Sequence, residues 1–469
     1  MQKKTPYLET EAFKQLLHRY EEMLETGTSA YFEAEEIIDI TEYYLLSHRE
    51  EEASQCLKYA LDLHPNSTEV LVFHAREKIY NKKIEEARQI ETIIPDKSDS
   101  GVKFLHGELF IAESNMDEAD KYFKDVFGDD DESYWLDVAA LFIDYDDPQR
   151  ALEWLTSITS SSIVESRKFL QLKAESHMAL GDVDLAKPMF EHLLDEDPYD
   201  ISNWSLMAEA QFIEGSFKES IDSCDFALAI DSKDEQALRV KGNCLFTLDE
   251  FEEAHAVYEK LLSVNPLDDV TLLMDSVCLN RLERYQDALE CLNRLCSMIE
   301  KDSPFYSQIY VQMAYAYSGL KRLQEALNIL DNAYTAGLSK VDCLFLKGDS
   351  YLENSYLEEA ESCFSQAMED DHENMELYMR ILDSYLMNKQ YEGLILLCEK
   401  LMQNETYRNK CYAPMAYSSF KLGKKVDYIR YLKLAGENDP KGALALFNAE
   451  FPNVDPEDYY IFAQRNLLM

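Results

Sequence analysis

Apolar and polar positions along this chain recur with helical periodicity, and the helical stretches themselves repeat. FEEAHAVYEKLLSVNP (251–266), YLEEAESCFSQAMEDD (from Tyr356), MDEADKYFKDVFGDD (from Met116) and REEEASQCLKYALDLHP (from Arg49) share one frame. Acids precede a small residue, and an aromatic or aliphatic side chain follows four places on. Four places is one helical turn, so both side chains share a face. Followed along the chain, the small position falls at Ala53, Ala87, Ala119, Ala151, Ala186, Ser220, Ala254, Ala288, Ala326, Ala360, Leu394 and Tyr428. The spacings are 34, 32, 32, 35, 34, 34, 34, 38, 34, 34 and 34. So regular a period predicts an array of repeats, not a single globule.

The preceding half of each unit carries a second helical pattern. Trp135, Trp204, Leu238, Leu272, Tyr310, Leu344, Tyr378 and Tyr412 occupy one place. A small residue follows four later at Ala139, Ala208, Gly242, Ser276, Ala314, Gly348 and Ala416. A large residue often follows three after that, as at Phe142, Leu245, Leu279, Tyr317, Tyr351 and Tyr385. The small side chain lets a second helix approach. Gly181, Gly215 and Gly423 stand between the halves, where a tight turn belongs. Pro65, Pro198, Pro266 and Pro440 each close a unit.

These positions resemble the tetratricopeptide repeat. ALRVKGNCLFTLDEFEEAHAVYEKLLSVNP (237–266) and CLFLKGDSYLENSYLEEAESCFSQA (343–367) carry the likeness most fully. About twelve units span roughly residues 34–440. The resemblance implies an all-α fold, a right-handed superhelical solenoid of helix pairs with first helices lining a concave groove. Only size and polarity at a few contact places need persist, which explains why so few residues are identical.

Several segments depart from the frame. Residues 1–33 read as an N-terminal cap, with Leu8, Phe13, Leu16, Leu17, Tyr20 and Leu24 on one stripe. The second unit should end its second helix at Pro95, and Pro188 should kink another. An insertion in 297–308 marks a possible break near 296–306. Leu394 and Tyr428 replace the small residue, which predicts looser or differently angled packing in those units. Residues 441–469 read as two short capping helices. The other reading makes Tyr459, Tyr460, Phe462 and Leu467 a docking surface.

Composition narrows the function. The 469 residues include 45 basic and 90 acidic side chains, a net charge of −45. Phosphate contacts need clustered Lys and Arg, so nucleic acid is not an expected partner, nor is an anionic membrane. No apolar run reaches the length of a transmembrane span. The ten cysteines include no CxxC spacing and read as reduced thiols of a cytoplasmic protein.

No catalytic or cofactor constellation stands out. The nine histidines are scattered, and no P-loop, GxSxG or HExxH occurs. DDDE (129–132), DED (195–197) and EDDHE (369–373) lack the glycine and ligand spacing of a calcium loop, and read as helix-end charges. The expectation is a non-catalytic protein without cofactor or metal.

The repeat register predicts which first-helix side chains line the groove. They include Glu35, Glu42, Glu69, Arg76, Glu108, Glu175, Glu209, Arg239, Asn243, Val277 and Val311. Tyr315, Asp342, Phe345, Asp349, Glu376, Met379, Asp383 and Tyr417 follow, and these eight are the candidate partner-binding residues. Acids predominate, interleaved with apolar side chains. That pattern points to a scaffold, an adaptor or chaperone-like holder, that takes a basic or amphipathic protein segment. The alternative is a regulatory receptor whose superhelix changes shape on binding a peptide effector. One subtype of the family grips a partner's C-terminal carboxylate. Arg239 and Asn243 match two of its places, but Met274, Gln308 and Gln312 depart from the others.

Overall fold

The computed structural model describes residues 5–8, 10–47, 49–128, 132–299, 303, 305–372 and 374–468. Every regular element among them is helical. The chain divides into two compact units, Met1–Cys244 and Leu245–Met469.

In the first unit, α1 (Thr5–Leu8) and α2 (Glu11–Thr26) precede the repeats. Thr10 caps α2 by accepting the Phe13 N–H. Phe13, Leu16 and Tyr20 are buried, whereas Leu24 of the same expected stripe is half exposed. Packed pairs follow: α3 (Ala34–Leu46) with α4 (Glu50–Leu63), α5 (Thr68–Tyr80) with α6 (Ile84–Ile93), and α7 (Ser100–Ala112) with α8 (Met116–Phe127). Then come α9 (Ser133–Asp144) with α10 (Pro148–Ser157), the short α11 (Ser161–Val164), α12 (Arg167–Ala179) with α13 (Val183–Glu196), and α14 (Ile201–Ile213) with α15 (Phe217–Ile230). The chain passes into the second unit within α16 (Glu235–Thr247).

The second unit opens with α17 (Phe251–Val264). Its pairs are α18 (Asp269–Arg281) with α19 (Tyr285–Met298), α20 (Phe305–Gly319) with α21 (Leu323–Thr335), and α22 (Lys340–Glu353) with α23 (Leu357–Asp370). The last are α24 (Met375–Met387) with α25 (Tyr391–Leu401) and α26 (Glu405–Lys421) with α27 (Lys425–Asn438). After them come α28 (Pro440–Phe447), a 3-10 turn (Pro456–Asp458) and α29 (Tyr459–Leu468).

The periodic residues make these pairs. All twelve reference positions from Ala53 to Tyr428 are buried, ten of them at 0% exposure. The large residue four places on is buried too, from Leu57 through Phe123, Phe190 and Phe364 to Leu432. Gly348 shows why the facing position is small. A Cβ there would stand 2.5 Å from Cε1 of Phe364, inside its ring's contact surface. Gly107 does the same against Phe123, at a register place the sequence pattern had skipped.

The turn between paired helices holds one residue in the left-handed region, five places before the reference position. It is glycine at Gly181, Gly215 and Gly423. At the same place Lys82, Ser114, Asp146, Asp249, Glu283, Lys321, Ser355 and Lys389 adopt φ between 56° and 68°. Such a residue ends the first helix and turns the chain back, so the two helices run antiparallel.

Three local expectations meet the structure differently. α6 does stop at Ile93, two residues before Pro95. α13 continues as one helix through Pro188 to Glu196, although proline supplies no backbone N–H there. Of the two units lacking the small residue, the backbones of α24 and α25 do approach less closely, and Leu382 and Leu394 are both buried in the core there. α26 and α27 are instead closely packed. There Tyr428 turns its ring towards Phe420 at 5.0 Å and Phe447 at 6.0 Å, leaving Ala416 to take the contact. Asp129–Asp131, Glu373 and part of the 297–308 insertion lie outside the described residues, as does the side chain of Leu467.

At the C-terminal end, Phe447, Phe451, Tyr459 and Ala463 join the core of α26 and α27. Gly436 of α27 has no room for a side chain because the Pro456 backbone lies against it. Tyr459 is fully buried, and Phe462 is 41% exposed.

Candidate partner-binding face

First helices of the second unit lie side by side: α18 touches α20, α20 touches α22, α22 touches α24 and α24 touches α26. The second helices occupy their other side, drawn in by the small residues described above. The remaining side of each first helix forms a continuous face within this unit.

The candidate residues distribute over that face unequally. Tyr315 of α20 is 37% exposed. Loss of solvent around its hydroxyl pushes its pKa up to about 12, with Asp349 adding to the rise and Arg380 and Arg281 opposing it. Glu376 and Asp383, seven residues apart on α24, are exposed. Partial burial raises the pKa of Asp383. These three side chains are available to a partner.

Asp342 and Asp349 have partners already. The Asp342 Oδ2 accepts from Ser339 Oγ at 2.6 Å, and its Oδ1 pairs with Arg380 Nη1 at 2.8 Å. Burial acts to raise its pKa, but Ser339 and Arg380 prevail and hold the carboxyl below its ordinary value. Asp349 accepts from Ser384 Oγ. Its pKa is raised by burial, which the Ser384 bond only partly offsets.

Phe345 corrects the expectation of an exposed aromatic strip. It is 6% exposed, with its ring 6.0 Å from Phe364 and the Arg380 guanidinium 4.2 Å above it. It lies one turn before Gly348, where α23 comes closest, so it points into the helix pair. Met379 is half buried against the same core. Tyr417 is half buried near Phe447 and Tyr391, with ring centroids 5.8 and 6.5 Å away, so it belongs to the C-terminal cluster.

Arg380 is the residue the sequence reading passed over. It ties α24 to α22 through Asp342 and covers Phe345. Its signal was present: it follows Met379 by one place and precedes Asp383 by three, so it borders the same face.

Other first-helix polar groups also bridge neighbours. In the first unit Arg76 of α5 pairs with Glu108 of α7 at 2.8 Å, and Tyr145 donates to Glu108 at 3.2 Å. Gln236 donates to Glu209 at 2.9 Å. In the second, Asn280 donates to the Gln312 carbonyl at 3.1 Å. The expected groove acids Glu108, Glu209, Asp342 and Asp349 therefore cross-link first helices.

A buried polar group lies behind the face. His255 of α17 and Asp275 of α18, 7% and 2% exposed, meet at 2.6 Å between Nδ1 and Oδ1. The Cys291 thiol of α19 donates to the other Asp275 oxygen at 3.8 Å. Burial raises the Asp275 pKa against the opposing pull of His255. Neither residue follows the repeat pattern, and sequence spacing offered no sign that they meet. Among the described residues no group of three or more His, Cys, Asp and Glu side chains is placed to hold a metal ion. No helix among the described residues is long and apolar enough to cross a membrane.

Consecutive packed helix pairs at a 34-residue period define a tetratricopeptide-like repeat protein. Its similarities run to proteins of varied kinds. Protein CTR9 homolog of Arabidopsis thaliana is 23% identical over 292 residues, 58% of this chain and 26% of that protein. Anaphase-promoting complex subunit 7 of Dictyostelium discoideum is 24% identical over 207 residues, 44% of this chain and 34% of that protein. The chain thus spans about a quarter to a third of the length of these curated relatives. No protein-family model matches the sequence. Among solved structures, YrrB, described as a TPR protein with an unusual peptide-binding site, aligns with a TM-score of 0.35 at 19% identity. That alignment covers 42% of this chain and 96% of YrrB. PilW, described as a type IV pilus biogenesis factor, aligns with a TM-score of 0.39 at 18% identity, covering 46% and 98%.

Proposed function

We propose that this protein is a non-catalytic interaction scaffold whose second unit binds a basic or amphipathic protein segment across α20, α22 and α24. The observation that carries this reading is the exposed set of Tyr315 on α20 and Glu376 and Asp383 on α24, the first helices on either side of α22. Tyr315 would supply apolar contact area, and the carboxylates would attract and orient a cationic partner. Arg380, already committed to Asp342, would hold the face in register. The net charge of −45 favours the same sign of partner. Similarity to a named subunit of a multiprotein complex is consistent with a role in assembly. In this reading residues 34–440 are the functional array, and 1–33 and 441–469 cover its ends. The unpaired thiols suit a reducing, cytoplasmic setting.

Salt dependence tests it. A labelled helical peptide with lysines on one face and leucines on the other should bind more weakly as salt approaches about 0.5 M, where the screening length falls below about 5 Å. An acidic peptide of the same pattern should not bind. Equal binding of both peptides, or binding indifferent to salt, would count against the proposal.

A further inference from the structure

We propose that a cleft between α8 and α10 in the first unit is a binding site for an arginine side chain presented by a protein partner. None of its residues belongs to the face discussed above. The cleft has a volume of about 430 Å³, within the range of ligand-binding pockets. Two tryptophans line it: Trp135 of α9 is half buried, and Trp154 of α10 is 4% exposed. Trp135 and Trp154 have ring centroids 5.6 Å apart and planes at 82°. Each indole is pinned by its N–H: Trp135 donates to the Gly128 carbonyl at 3.2 Å, and Trp154 to Asp120 Oδ1 at 2.9 Å. Fixed aromatic faces at an angle, with a carboxylate beside them, are suited to a cation.

The chain already places one there. Lys124 Nζ lies 2.7 Å from Asp120 Oδ2 and 5.7 Å from the Trp154 ring centroid. This ammonium is an internal stand-in for a ligand. Lys124 keeps 61% of its side chain exposed on a flexible stem, so it can leave without disturbing the fold. Glu153 adds an exposed carboxylate to the lining. Asp120 and Glu153 together outweigh Lys124 by one negative charge, which an arriving cation would offset. A guanidinium fits better than a second ammonium, because its planar donors can reach towards the carboxylates while its face lies on the half-buried Trp135 indole.

The protein's own fluorescence can report the site. It has three tryptophans, two of them in the cleft. In full-length protein carrying Trp204→Phe, emission comes from Trp135 and Trp154 alone. N-acetyl-arginine amide, which lacks free backbone charges and so resembles a residue within a chain, should change that emission saturably. The neutral isostere N-acetyl-citrulline amide should not. Lys124→Ala removes the internal competitor and should tighten arginine binding, by about three- to tenfold. Glu153→Gln should weaken it. Both positions are exposed, and circular dichroism would verify that each variant keeps its helix content. A saturable response shared by citrulline, no saturation with arginine, or unchanged affinity in Lys124→Ala would overturn the proposal.

Discussion

His255 and Asp275 illustrate how much a single pair can matter at the residue scale. Removing the imidazole leaves a buried carboxylate without its main partner, a change that costs about 3–5 kcal/mol. His255→Ala should therefore lower stability strongly near neutral pH. The pH dependence has a definite sign. Burial raises the Asp275 pKa in the folded state, so the penalty for ionising it exists above the ordinary carboxylate pKa, near 3.9, and fades below it. Urea melts should show the gap between variant and wild type narrowing as pH falls towards about 4. A gap that is constant with pH would mean that lost packing, not the uncompensated carboxylate, accounts for the effect. Gly348 makes a steric counterpart. With Phe364 so near, Gly348→Leu should overpack α22 against α23 and cost about 1–3 kcal/mol, read as a lowered melting temperature. An unaltered melt would mean that the pair has more slack than the contact implies.

At the scale of elements, the helix pairs were legible in the sequence because their contacts recur at fixed register. Ala254, Tyr258 and Gly348 each belong to a column of like-sized residues, and every column member must fit the same neighbour. The turns were legible only where they are glycine. Glu283, Ser355 and Lys389 give no compositional sign of a left-handed backbone, yet they take it because the packed helices on either side leave no other path. That strain invites a paired test. Gly215→Ala should destabilise by about 1 kcal/mol, since a Cβ is disfavoured at φ 79°. Glu283→Gly, at the equivalent place, should be neutral or slightly stabilising. Thermal melts that rank the two substitutions the other way would show that side-chain contacts, not backbone conformation, dominate these turns. The candidate face was only partly legible for a related reason. Helical spacing places Phe345 and Tyr315 on the inner side alike, but it does not show that Phe364 and Arg380 enclose the Phe345 ring while Tyr315 stays 37% exposed. Arg380 was missed because its role depends on an ion pair 38 residues away in sequence, with Asp342.

For the whole molecule, the acidic excess and the repeat array belong to one account. The repeats supply many helix faces, and the charge biases what those faces attract. Charge alone would act everywhere, however, whereas the proposed scaffold acts through one face. The most direct measurement compares two double variants of equal charge by titrating the labelled lysine–leucine peptide and following its anisotropy. Glu376→Lys with Asp383→Lys reverses the exposed acids of α24, and Glu361→Lys with Glu369→Lys reverses exposed acids of α23. The account predicts that the first pair weakens binding by about tenfold or more, while the second leaves it close to wild type. Equal weakening by both pairs, or none by the first, would contradict it.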